Sequence, residues 1–101
     1  MRFTFDTAKD AANIAKHGLS LADAPMVFNA PGKLTLQSPR ADEPRLMDVA
    51  TVQPFGVVLV LVYVLREPDE VRAISLRRAS RQERTLYAQW KETQGPDAGR
   101  H

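Results

Sequence analysis

The residues best suited to chemistry in this chain are arginines gathered where a strand-like run turns into a helix-like one: Ile74-Ser75-Leu76-Arg77-Arg78-Ala79-Ser80-Arg81-Gln82-Glu83-Arg84. From Arg72 to Lys91 there are six basic side chains and one acid, Glu83, although the net charge of all 101 residues is only +2. Arginine stays charged and grips phosphate with paired donors. A helix start adds free N–H groups and the positive end of its dipole. The combination suits a polyanion, and suits the neutralising of charge that builds on phosphorus during cleavage. It is equally the make-up of a solvated helix face shielded by Glu83, with Arg81 and Arg84 on one side of the helix and Arg77 on the strand.

Lys16-His17-Gly18 is the second constellation, able to supply a cation and a proton-transfer group. The same residues also complement the negative end of their own helix. Tyr87 and Trp90 are three apart and can stack on bases. With Leu86 they can instead form the face that docks on a sheet, the preferred reading for Trp90. Lys9, Asn13 and Lys16 make a polar stripe, and Asp6, Lys9 and Asp10 read as ordinary helix-end charges. His101 has no assigned role.

Composition removes several classes of function. Without cysteine there are no disulfides, thiolate metal sites or cysteine nucleophiles, which suits a reducing cytoplasm. There is no His/Asp/Glu cluster at metal-ligand spacing and no Gly-rich phosphate loop, so the expected cofactor set is empty. The opening MRFTFDTAKD lacks the apolar core of a signal peptide. The longest apolar run, Val57 to Leu65, is far shorter than the ~20 residues of a membrane helix. A soluble, single-domain protein is expected, the domain spanning 1–92 with a loose tail over 93–101.

These groups must be held by a small set of elements. Arg2 to Phe5 alternates and reads as a strand. Asp6 caps a helix from Thr7 to His17, closed by Gly18, with Ala8, Ala11, Ala12, Ile14 and Ala15 as its apolar stripe. Ser20 caps a shorter helix towards Phe28, in which Pro25 is awkward. Strands follow at Lys33–Gln37, Arg45–Val52, Val57–Leu65 and Val71–Arg77, the third buried on both faces. Turns fall at 29–32, 53–56 and 67–70, with a polar loop over 38–44. Ser80 and Glu83 make a capping box for a last helix, to about Lys91. The order β-α-α-β-β-β-β-α, with hairpin-length links between the later strands, predicts an α+β fold: an antiparallel sheet with helices packed on it. In the last strand, simple alternation sends Ile74 and Leu76 to the core, and Ala73, Ser75 and Arg77 to an open face. Arg78 has core parity but lies past the apolar stretch, free to swing out.

Phe5-Asp6, Lys9, Asn13, Lys16-His17-Gly18 and Ser20 resemble the opening of BrnT toxins. Glu43, Arg45, the strand at Val57 to Tyr63, and Ile74-Ser75-x-Arg77-Arg78-Ala79-Ser80-x-x-Glu83-Arg84-x-x-Tyr87 are similar to the rest of that family. The resemblance covers about nine-tenths of the chain. Phe5 stands for the family's Trp, Ala50 for a frequent Gly, Pro44 interrupts the Glu-Arg pair, and Pro25 is unusual.

The resemblance implies a RelE-like fold and a cytoplasmic ribonuclease toxin of a type II toxin–antitoxin pair that inhibits translation. Its partner would be a BrnA-like ribbon-helix-helix antitoxin, through which alone it would reach operator DNA. The implied active surface involves Lys16, His17, Arg77 and Arg78, the expected catalytic residues, with Arg45, Ser80, Glu83 and Tyr87 as matched motif positions. Together with the charge pattern, the expected RNA-binding positions are Arg45, Arg81, Arg84 and Tyr87. The expected reaction is metal-independent: the ribose 2′-oxygen attacks phosphorus, with RNA free or presented by the ribosome. The alternatives are a non-catalytic nucleic-acid or partner-binding module, and an inactive toxin fold kept as a corepressor.

Overall fold

The computed structural model describes residues 1–38, 44–53 and 56–94. The element order is β1 (Arg2–Thr4), α1 (Thr7–His17), a 3-10 turn (Leu21–Asp23), α2 (Ala24–Phe28), β2 (Leu34–Gln37), β3 (Leu46–Val52), β4 (Val57–Arg66), β5 (Glu70–Arg78) and α3 (Arg81–Gln94). The strands form one sheet in the order β1-β5-β4-β3-β2. β2 to β5 make an antiparallel meander, while β1 runs parallel to β5 at the other edge, Arg2 to Thr4 beside Glu70 to Arg72. Glu43, the interior of the 38–44 loop, the middle of the 53–56 turn, the tail from 95 and His101 lie outside the described residues.

Capping chemistry sets the helix bounds. The Asp6 carboxylate accepts from the Ala8 and Lys9 amides, and Gly18 takes φ +71° while its N–H bonds to the Ile14 carbonyl. Pro25 causes no conflict, because the expected helix breaks into a 3-10 turn capped by Ser20 and a separate α2, in whose first turn Pro25 sits. At the C-terminal end α3 runs to Gln94, so Thr93 and Gln94, expected in the tail, are helical.

Both sheet faces are covered, which is why β4 is apolar from Val57 to Leu65. On one face Ala50, Val52, Leu59, Leu61, Tyr63, Val71, Ala73 and Leu76 pack with Leu21, Ala24 and Val27. On the other, Val49 and Val60 pack with Ala79 and Tyr87, flanked by Met47, Val58, Val62 and Trp90. Leu86 is 46% exposed and does not dock. Asp48, fully buried on the first face, accepts from Lys33 Nζ (2.7 Å), Thr35 Oγ1 (2.7 Å) and Tyr63 OH (3.0 Å). Burial, then the Asp48 charge, pushes the Tyr63 phenol up in pKa.

Two expectations are overturned. The α1 alanines do not pack inward: Ala8, Ala11, Ala12 and Ala15 are exposed, as is Ile14, and the helix buries Asn13 alone. The cause is the short β1, which pairs β5 only as far as Arg72. Beyond it, β5 offers bare peptide groups, and those need polar partners rather than methyl groups.

The parity of β5 also changes. Val62 pairs Ser75 and Tyr63 pairs Ala73, leaving Ile74 as a bulge. Ala73 and Leu76 therefore share the core, at 2% and 0% exposure, and Ile74 does not join them.

Candidate ribonuclease site

Ile74 and Ser75, re-aimed by the bulge, are the common floor of two neighbouring hollows. One, of about 440 Å³, is lined by Ser38, Arg45, Met47, Val62, Arg77 and Glu83 besides that pair. The other, of about 240 Å³, is lined by Lys9, Ala12, Asn13, Lys16 and His17 with the same pair. The two hollows, here termed the trough, adjoin through that shared pair, the lysine–histidine corner lining one and two arginines lining the other. Positions 9, 12, 13 and 16 recur with helical period, so α1 presents one whole face to it.

Each bank is rigidly held. On the helix side, the Asp10 carboxylate accepts from the Leu21 amide (2.6 Å) and the Ser20 hydroxyl (3.1 Å), and so clamps α1 to the turn that follows it. Asp10 is thus a clasp, not an ordinary end charge. Asn13 Nδ2 donates to the carbonyls of Leu19 (2.7 Å) and Leu76 (2.8 Å), while Oδ1 accepts from the Leu76 amide (3.2 Å). The Lys16-His17-Gly18 corner lies between these fixed points. Lys16 is exposed and His17 half-buried.

Across the trough, both terminal nitrogens of Arg77 donate to the Glu83 carboxylate, at 2.7 and 2.8 Å. Glu83 also accepts from the Ser80 amide (2.8 Å), and its own amide donates to Ser80 Oγ (3.1 Å), which completes the capping box. The Arg77 bond is the main reason the Glu83 carboxyl is held down to about 2. Reciprocally, that bond raises the Arg77 pKa against the effect of burial. A guanidinium has five N–H donors, so Arg77 keeps others for a ligand while Glu83 fixes its plane.

Of the residues singled out from sequence, the trough thus gathers Lys16, His17, Arg45 and Arg77. Arg78 is exposed at the end of β5 on the opposite parity, beside Leu59, and does not line it. Arg81 is exposed on the outer side of α3 near Leu86 and Gln89. Arg84 is exposed too, and donates to the Ala79 carbonyl at 2.9 Å. Tyr87 is a correction: it is 5% exposed, its hydroxyl donates to the Gly32 carbonyl and accepts from the Thr51 amide, and its ring is not open to a base.

Sequence reasoning missed Ser38, Met47, Val62 and Ile74 as lining, and gave Asn13 no specific task. The lone polar residue between Ala12 and Ile14 was the available signal. Among the described residues, no group of three or more His, Asp or Glu is placed to hold a metal ion.

Comparison with known proteins agrees with this fold. None of the curated proteins matches the chain. Among solved structures, it is similar to the 1.1 Å crystal structure of the Brucella abortus ribonuclease toxin, BrnT, at 26% identity and a TM-score of 0.64. That similarity covers 80% of this chain and 99% of the Brucella one. The profile described as "Ribonuclease toxin, BrnT, of type II toxin-antitoxin system" matches residues 5–83, which hold both banks of the trough. With most of its length inside that match, the chain belongs to the BrnT family of ribonuclease toxins of type II toxin–antitoxin systems.

Proposed function

We propose that the trough over Ile74 and Ser75 is the cleavage site, and that it cuts RNA without a metal. The ribose 2′-oxygen attacks the adjacent phosphorus, the bond to the 5′-oxygen breaks, and the products are a cyclic 2′,3′-phosphate and a free 5′-hydroxyl. The proton leaves the 2′-hydroxyl and one is delivered to the departing 5′-oxygen. His17 and Lys16 are the groups for that traffic, a role worth ~10²–10⁴-fold. Arg77, oriented by Glu83, and Arg45 meet the non-bridging oxygens as charge accumulates there. Arg78, Arg81 and Arg84, outside the trough, contact flanking phosphates and contribute affinity that weakens with salt.

The observation that supports this reading is the shared pair Ile74 and Ser75: one hollow over it is lined by Lys16 and His17, and the adjoining one by Arg45 and Arg77. Cutting messenger RNA would stop translation in the cytoplasm, and the shallow site suits RNA presented by the ribosome. The cognate antitoxin, on this reading a BrnA-like ribbon-helix-helix protein, would neutralise the toxin and link it to operator DNA.

The test is cleavage of single-stranded RNA by purified protein in a chelator, with end-group analysis. Cyclic phosphate ends, an unchanged rate with chelator, and loss of cutting in His17→Ala and Arg45→Ala are expected. A requirement for a divalent ion overturns the mechanism. Salt-sensitive RNA binding without fragments would favour the non-catalytic module.

A further inference from the structure

Among the described residues of α1 the structure buries a single side chain, and it is an amide. Asn13 is 7% exposed, and its side chain bonds to backbone: the Leu19 carbonyl, and both the amide and the carbonyl of Leu76. A buried amide costs free energy unless its bonds are made, and an apolar side chain would serve packing at this position. What the carboxamide adds is register. It exchanges two bonds with Leu76 as a neighbouring strand residue would, at the point where β1 no longer covers the β5 edge. The Leu76 carbonyl belongs to the peptide unit that leads into Arg77. The Leu19 carbonyl lies two residues past His17. One side chain therefore pins the loop after the lysine–histidine corner and the strand segment before the arginine.

We propose that Asn13 is a positioning residue for RNA cleavage, holding Lys16 and His17 at a fixed offset from Arg77 across the trough. This rests on the reading of the trough as the cleavage site. The chemistry is demanding of side-chain type. An aspartate would oppose carboxylate oxygen to two carbonyl oxygens, and a glutamine keeps the donor and acceptor groups but adds a methylene that shifts α1 along the edge. A displacement of about 1 Å between catalytic groups costs on the order of 10²-fold in rate.

The experiment measures kcat and KM for cleavage of a defined single-stranded RNA transcript, with thermal unfolding of each protein. The proteins are the parent chain, Asn13→Ala, Asn13→Gln and His17→Ala, together with each Asn13 variant in the His17→Ala background. In folded protein, Asn13→Ala is expected to lower kcat on the order of 10²-fold with KM little changed. Asn13→Gln is expected to do the same although its amide is intact. Neither should add much to the loss in His17→Ala, because the two act through one unit.

A parental kcat in folded Asn13→Ala overturns the proposal, as does an equal fold-loss with and without His17, the mark of a role in stability alone. If Asn13→Ala is unfolded at the assay temperature, Asn13→Gln decides by the same criteria. Parental cleavage by His17→Ala would instead bring down the reading of the trough itself, and this proposal with it. Inactive His17→Ala beside fully active Asn13 variants removes only the positioning role.

Discussion

Glu83 does two jobs with one carboxylate: it closes the α3 capping box and it holds the Arg77 guanidinium by a bidentate bond. Its pKa of about 2 in the folded protein lies below the ordinary carboxylate range. The stability this contributes is complete above that range and is lost as pH falls through it towards 2. Glu83→Gln should therefore flatten the acid limb of the stability–pH curve over that window while leaving its high-pH side in place, as followed by urea unfolding at stepped pH. Asp48 makes the opposite kind of demand, since it is wholly inside and satisfied by three side-chain donors. Replacing it by Ala would strand the Lys33 ammonium and the Tyr63 hydroxyl, and should cost about 3–5 kcal/mol in denaturant unfolding.

Element boundaries were legible because their signals are local. Asp6 and Gly18 bracket α1, and Ser80 with Glu83 starts α3. Gly18 carries its position through φ +71°, with open space around a would-be Cβ. Gly18→Ala should thus destabilise the fold by about 1–2 kcal/mol from backbone strain alone, read as a lowered midpoint in urea. What strict alternation concealed was the bulge at Ile74: the apolar positions change phase there, from Val71 and Ala73 to Leu76, and only pairing with Val62 and Tyr63 identifies the extra residue. The inverted α1 was hidden for a related reason. Its alanines suggest a buried stripe, and only the early end of β1 explains why an asparagine is inside instead. The lining side chains Met47 and Val62 looked like core because most residues of their strands are.

At the scale of the molecule, the two constellations nearly sixty positions apart in sequence become the two banks of one trough, and the agreement with the Brucella toxin extends over 99% of that chain. The meander from β2 to β5 joins neighbours in sequence, whereas β1 must reach β5, with Phe3 beside Val71. Such distant pairing closes late, because the loop entropy must be met before the contact forms. A nascent toxin leaving its own ribosome thus emerges unarmed: its amino-terminal arm has nowhere to dock until the last strand has been synthesised. Stalled chains ending at Pro68 should leave RNA intact, whereas release of chains ending at Gln94 should switch cutting on.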